Sequence, residues 1–385
     1  GLPQLAVRAF ALAPNDPQVM LAGTGYFEQL RFDSGSITDD AGNVQLSRDG
    51  GQSWRQATGR LARVNGVAFS PNFAVDETAF AATGMIGQHG FVEGGIYRTT
   101  DGGENWTAVS PVSQAYTAIA ISPNYASDHT VWASALSYTM AVGVFRSTDG
   151  GSTWALVAPG LNVQRLVVSP NYAIDQTLFA GMADDGVHRS TNGGLVWTRV
   201  MPTAYVTALA ISPAYGASQT VYAAARANTY SATAVYRTTD GGATWQTLPT
   251  TIPPEQNGQP LVIDSLAFGV DGSVLAGAQY GAAGPPFVYR STAGGTNWQP
   301  VAGALPGTAV SALTSTPTHS FLLYAAGDGG IHAATISQGS LAEGGAWQSE
   351  GPRGGKASAL AVSPNFAADG LAFAGDWLTS FRQKP

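Results

Sequence analysis

The sequence predicts an all-β fold, a β-propeller of four-stranded antiparallel blades. Three observations carry this expectation. A Gly-Gly turn ending in tryptophan recurs about every fifty residues. Between its copies run short segments with period-2 alternation, broken by Gly, Pro, Asn and Asp, as antiparallel strands require. No stretch of helical periodicity interrupts them, and about fifty residues with four strands is the size of one propeller blade.

The turn reads SRDGGQSW at Ser47–Trp54, TTDGGENW at Thr99–Trp106, STDGGSTW at Ser147–Trp154 and STNGGLVW at Ser190–Trp197. It continues as TTDGGATW at Thr238–Trp245 and STAGGTNW at Ser291–Trp298, with a degenerate copy ending at Trp347. Its third position falls at Asp49, Asp101, Asp149, Asn192, Asp240 and Ala293, so the spacing is 43 to 53 residues. Gly-Gly supplies the positive-φ positions of a tight turn. The preceding Asp can accept hydrogen bonds from turn N–H groups. The Trp is large enough to wedge between sheets.

A second phrase marks the turn between the first and second strands of each repeat: SPNFAVDET from Ser70, SPNYASDHT from Ser122, SPNYAIDQT from Ser169, SPAYGASQT from Ser212 and SPNFAADGL from Ser363. The repeats fall at about 1–58, 59–110, 111–159, 160–202, 203–250, 251–303, 304–351 and 352–385. This reads as a single propeller domain of eight blades with the last incomplete. The alternative is seven blades with a C-terminal extension.

These turns resemble the Asp-box (BNR) repeat propellers, a group that includes sialidases, xyloglucanase-type glycoside hydrolases, sortilin-like receptors and a photosystem II assembly factor. The resemblance spans nearly the whole chain. It implies a structural role for Asp49, Trp54, Asp101, Trp106, Asp149, Trp154, Asn192, Trp197, Asp240, Trp245, Trp298 and Trp347. It also implies that the Asp-box face lies away from any active site.

Composition narrows the function. Charged residues make up 11% of the chain and the net charge is −7, with no Lys/Arg block, so nucleic acid is not an expected partner. There are no cysteines, which excludes disulfides and thiolate metal sites. No apolar run is long enough for a membrane-spanning helix. The five histidines lack ligand spacing, so no metal or cofactor site is expected. Arg98, Arg146, Arg189, Arg237 and Arg290 recur at one strand position, which argues for blade packing rather than for the arginine cluster of a sialidase. The Arg-Ile-Pro signature of that family is absent. For a glycoside hydrolase with two opposed carboxylates, the candidates are Asp33, Asp39, Asp40, Glu93, Asp184 and Asp185. The family's xyloglucanase-type enzymes pair two propellers, and this chain has room for one.

Both repeated turns belong to one face of an up-and-down blade, and their monotony reads as scaffold. The opposite face carries the loops that vary, where binding usually resides. Its candidate residues are Phe27, Arg31, Phe32, His89, Phe91, Tyr138, Arg226, Tyr230, Tyr280 and Phe287. The expected function is a non-enzymatic scaffold in the extracellular space or on the cell surface, with the periplasm also possible. It would contact a protein or glycan within a larger surface assembly. The glycoside hydrolase and the assembly factor are the alternatives.

Overall fold

The structure is a computed structural model. It describes most of residues 7–24, 43–86, 92–136, 141–280 and 287–301, together with Val310–Ser315, Phe321–Gly327, Gly330–Ile336, Gln348–Ser349, Ala359–Val362, Ala372–Gly375 and Ser380–Arg382. Each of the first seven repeats builds one antiparallel sheet whose strands follow in chain order from inner to outer, and the eighth a three-stranded sheet of Ala359–Val362, Ala372–Gly375 and Ser380–Arg382. The first sheet is Val7–Ala13, Asp16–Thr24, Val44–Ser47 and Arg55–Gln56. The second is Val64–Phe69, Ala79–Thr83, Ile96–Thr99 and Thr107–Ala108, with a two-stranded ribbon, Met85–Ile86 and Val92–Glu93, between its middle strands. The third is Ala115–Ile121, Val131–Leu136, Ala141–Ser147 and Ala155–Pro159.

The fourth sheet is Val163–Val168, Leu178–Met182, Val187–Ser190 and Thr198–Met201. The fifth is Tyr205–Ile211, Val221–Arg226, Ala234–Thr238 and Gln246–Thr247. The sixth is Gln259–Phe268, Val274–Tyr280, Phe287–Ser291 and Gln299–Pro300, with Glu255–Gln256 added along the start of its inner strand. The seventh is Val310–Ser315, Phe321–Gly327, Gly330–Ile336 and Gln348–Ser349. The chain is organised as two compact units, Gly1–Val163 with Gly375–Arg382 and Gln164–Ala374 with Gln383–Pro385.

Burial explains the composition of each strand. The second strands are buried residue after residue, as in AFAAT at Ala79–Thr83 and LFAGM at Leu178–Met182. A strand covered on both faces reads as a continuous apolar run instead of an alternation. The outer strands, such as Thr107–Ala108 and Gln246–Thr247, are exposed and polar.

Within each unit the cores lie between successive sheets. Leu21, Val44 and Leu46 of the first sheet pack on Val64, Ala79, Ala81 and Trp106 of the second. Phe80 and Ile96 of the second sheet pack on Tyr116, Val131 and Ala133 of the third. In the other unit, Phe179, Val187 and Met201 meet Val206, Val221 and Ala223, and Tyr222 and Leu248 meet Ile263, Val274 and Trp298. Each buried aromatic or large aliphatic side chain contributes roughly 1.5–3 kcal/mol by removal from water.

One detail differs from the sequence expectation. The SPN phrases contain a single helical turn: α1 Phe73–Asp76, α2 Tyr125–Asp128, α3 Tyr172–Asp175 and α4 Tyr215–Ser218. Each ends on a left-handed residue, Glu77, His129, Gln176 or Gln219, with φ of 47–50°. A four-residue turn carries no amphipathic period, so pattern reading passes over it.

Candidate functional site

The two repeated turns form one bonded face. Ser70 Oγ donates to Asp76 Oδ2 at 2.6 Å, and the Thr78 N–H donates to Asp76 Oδ1 at 2.9 Å. Ser122, Asp128 and Thr130 repeat this, as do Ser169, Asp175 and Thr177. The left-handed residue after each helical turn then accepts, at its carbonyl, the N–H of the first glycine of the Gly-Gly turn. These bonds are Gly102 to Glu77, Gly150 to His129, Gly193 to Gln176 and Gly241 to Gln219, at 3.0–3.1 Å.

Within the Gly-Gly turn both glycines have positive φ, as at Gly150 (71°) and Gly151 (85°). Asp149 Oδ1 accepts the Ser147 hydroxyl at 2.8 Å and the Thr153 N–H at 2.9 Å, and Oδ2 accepts the Thr153 hydroxyl at 2.6 Å. Asp49 with Ser53, Asp101 with Asn105 and Asp240 with Thr244 make the same set. Asn192 keeps the bonds to Ser190 and to the Val196 N–H. The hydroxyl and N–H of Thr153 hold the Asp149 carboxyl down at about 2, and those of Thr244 lower Asp240. At Asp101 the upward pull of burial is outweighed by hydrogen bonds from Asn105 and Thr99, and the net shift is downward.

Trp106, Trp154, Trp197 and Trp298 each donate Nε1–H to the carbonyl of the second glycine at 2.7–3.1 Å. Trp245 instead packs edge-on against Phe179, with centroids 6.5 Å apart. Trp54 occupies the matching place in the first turn, and Trp347 lies outside the described residues.

Three of the five repeated arginines reach across to the next sheet. Arg98 Nη1 donates to the Gly150 carbonyl, Arg189 Nη1 to Gly241 and Arg237 Nη1 to Gly294, at 2.6, 2.6 and 2.9 Å. Arg290 departs from this: it pairs with Asp271 of its own sheet and donates from Nε to Ser273 Oγ at 3.2 Å. Side chains spent in this way are structural.

The opposite face is built on a shared irregularity. Six inner strands carry a β-bulge opposite the latter part of the second strand. The register shifts fall at Arg8, Asn65, Thr117, Thr207, Asp264 and Ser311. A bulge re-aims one side chain out of the pleat, and in the second, third, fifth and sixth sheets that residue is Asn65, Thr117, Thr207 and Asp264 in turn. Asn65 Nδ2 donates to the carbonyls of Gly84 and Tyr116 at 2.8 and 2.9 Å, and Thr207 Oγ1 donates to that of Ile263 at 2.5 Å. Asn65 and Thr207 thus stitch one inner strand to the next, whereas Thr117 bonds within its own sheet, to Ser134.

Asp264 departs in another way. A carboxylate has no proton to donate, so Ser265 takes over and donates to Val310 O at 3.0 Å. Asp264 Oδ2 turns instead to Gln279 Nε2 at 3.1 Å. In the neighbouring fifth sheet, the Arg226 guanidinium lies over the Tyr205 ring, 5.0 Å from its centroid. Two residues past Asn228, whose Oδ1 accepts its N–H, Tyr230 stands 89% exposed.

Of the residues the sequence placed on this face, Arg226 and Tyr230 sit on this rim. Tyr280 does not stand out to solvent. It is buried, packs edge-on against Phe287 with centroids 6.3 Å apart, and donates to Pro253 O at 3.0 Å. The Thr250–Gln259 stretch folds over it, which composition alone did not reveal. Phe287 is partly buried on the same core. Phe27, Arg31, Phe32, His89, Phe91 and Tyr138 lie outside the described residues, as do Asp33, Asp39 and Asp40.

Tyr205, Asp264 and Gln279 were missed by the sequence reading. The signal was present: the position five residues before the SPN serine is polar in repeat after repeat, as Asn65, Thr117, Gln164 and Thr207.

Among the candidate carboxylates, Asp185 is ion-paired, accepting Arg199 Nη1 at 2.6 Å and facing His188 Nε2 at 2.8 Å. The Arg199 hydrogen bond, with help from His188, keeps its carboxyl below the usual range, the wrong direction for a proton donor. Among the described residues no three His, Asp or Glu side chains gather as metal ligands.

A family model described as the DUF6242 beta propeller domain matches residues 92–350. Among curated proteins none matches the chain. Solved structures similar to it include the GH74 xyloglucanase from Xanthomonas campestris, at 18% identity and a TM-score of 0.66, covering 96% of this chain and 58% of that one. The chain thus spans less than three fifths of that enzyme's length. Sqt1 of Chaetomium thermophilum, bound to the N-terminus of ribosomal protein L10, aligns at 14% identity and a TM-score of 0.59, covering 100% and 98%. YCF48 from Cyanidioschyzon merolae aligns at 16% identity and a TM-score of 0.53, covering 100% and 98%. Likenesses at this identity show the fold, which is a β-propeller.

Proposed function

This chain belongs to the DUF6242 beta-propeller family, and on that premise we propose that it is a non-enzymatic scaffold that holds a protein partner on its variable-loop face, outside the cytoplasm. The observation that carries the reading is the rim of the fifth and sixth sheets. There the Arg226–Tyr205 stack and the Asp264–Gln279 pair stand on strands, and the exposed Tyr230 on the turn that follows Arg226. Aromatic and arginine side chains held on a preformed surface are the usual anchors of a protein contact. Sqt1, a propeller with a peptide on it, is a precedent for this use of the fold.

Low charge and a Ser/Thr/Asn/Gly surface favour a place in an extracellular or cell-surface assembly. The kinship with Asp-box repeats and the eight-blade count belong to the same proposal.

The test is photo-crosslinking through a reactive group at Tyr230 on native cells, followed by Arg226→Ala. One dominant protein adduct, lost in the variant, supports the reading. Hydrolysis of xyloglucan or another glycan by the full chain would replace it with the glycosidase alternative, which the GH74 likeness keeps in view.

A further inference from the structure

Among the described turns, one makes the scaffold face apolar. In the fourth sheet's Gly-Gly turn, the two positions before Trp197 are Leu195 and Val196, 51% and 62% exposed. The same positions hold Glu104 and Asn105, Ser152 and Thr153, Ala243 and Thr244, and Thr296 and Asn297 elsewhere. The change is coordinated with the third position. Where Asp149 and Asp240 use their second oxygen to hold the hydroxyls of Thr153 and Thr244, the fourth turn has lost both the charge, at Asn192, and its hydroxyl partner, at Val196.

The adjoining α3 adds Ile174, 81% exposed, and the Gly193–Gln176 bond ties the two turns together. The matching residues of α2 and α4 are Ser127 and Ala217. Val75 of α1 is also exposed, but its neighbouring turn carries the Arg48–Glu104 ion pair. Single exposed apolar residues need no explanation; a cluster that replaces charge and hydroxyl together does.

We propose that this patch is a contact between two copies of the chain, each presenting Ile174, Leu195 and Val196 to the other. Charge selects the occupant. The chain carries a net −7, which opposes the approach of a second copy. The turns with Asp49, Asp101, Asp149 or Asp240 would set carboxylates against one another, whereas the fourth turn is neutral and apolar and matches itself. The carboxylate next to Ile174, Asp175, is held by Ser169 and Thr177. Size sets the strength. Three such side chains offer on the order of 300 Å² per copy, and the roughly 600 Å² of a two-fold contact is under the ~1,000 Å² at which an interface holds by itself. The contact is therefore weak and reversible in solution, and gains strength where copies are already crowded or tethered. It lies on the opposite face from the partner-binding rim and does not depend on that reading.

Sedimentation equilibrium of the whole chain over a wide concentration range tests this. The expected result is a mass that rises with concentration toward a dimer, and association at least ~10-fold weaker in Asn192→Asp/Val196→Thr. That variant restores the pair found at Asp149 and Thr153, so its turn has a folding precedent in the same molecule. Ile174→Ser should weaken association further, and Val75→Ser should leave it unchanged. A mass independent of concentration overturns the proposal, as does undiminished association in the double variant.

Discussion

Arg98 of the second sheet donates through Nη1 to the carbonyl of Gly150 in the third, at 2.6 Å. Arg189 to Gly241 and Arg237 to Gly294 repeat the bond. A charged donor on a turn carbonyl is among the stronger neutral-acceptor hydrogen bonds. Arg98→Met should therefore lower stability by roughly 1–2 kcal/mol. Denaturant unfolding checks it, with Arg165→Met, an exposed arginine bonded to the adjacent residue's carbonyl, as the neutral control.

Arg290 should be the costlier arginine. Its side chain is nearly buried against Asp271, and removing it strands a carboxylate that is itself largely covered. Arg290→Met should cost about 3 kcal/mol or more. A double variant with Asp271→Asn should recover part of that, and the coupling is read from a double-mutant cycle.

Gly151 is required twice over. Its φ is +85°, and an added Cβ would lie 2.5 Å from Phe80 Cε1 of the preceding sheet. Gly160 has φ +79° but nothing within 4 Å. Gly160→Ala should cost about 1 kcal/mol, the backbone share alone, and Gly151→Ala clearly more, by thermal or denaturant unfolding. Gly151→Ala/Phe80→Leu should fall between them.

Acid should weaken the turns in a defined window. The folded Asp149 carboxyl titrates near 2, below its unfolded value, because Thr153 bonds the ionised form. A depressed folded value means the contribution is complete above the unfolded pKa and is lost as pH falls toward 2. Asp240 is lowered by the same contacts. The unfolding midpoint of the protein should drop between pH 4 and pH 2 (roughly), and Asp149→Asn should flatten part of that slope.

Tyr230 and Tyr280 should separate binding from stability. Tyr230→Ala should leave the unfolding midpoint unchanged, since the side chain is 89% exposed, while weakening partner capture. Tyr280→Phe should cost about 1 kcal/mol by losing the Pro253 bond, with partner capture intact.

The repeat was legible because its signals are chemical necessities. Gly150 and Gly151 need positive φ, Asp149 needs turn donors, and both needs leave a fixed string of letters. The rim of the fifth and sixth sheets was only half legible. Arg226 and Tyr230 announced themselves as unusual residues in a variable loop. Asp264 did not, because its meaning lies in the bulge that aims it and in Ser265 taking over the donor role. Tyr280 looked like a surface aromatic until the chain at Pro253 was seen to cover it. The scaffold face misled in the other direction: similarity between repeats concealed one whose small departures add up at Ile174, Leu195 and Val196.

The seating of each Gly-Gly turn against the sheet before it has a genetic corollary. Gly151 fits beneath Phe80 and Gly242 beneath Phe179, each with an arginine of that preceding sheet closing over the turn or the one beside it. The second and fifth repeats therefore carry both halves of a connector, a plug facing backward and a socket facing forward. A recombination event that adds or removes one whole period leaves compatible halves at the new junction. Crossovers inside a period would not. Such genes can lengthen or shorten by in-frame slippage without inventing a new interface.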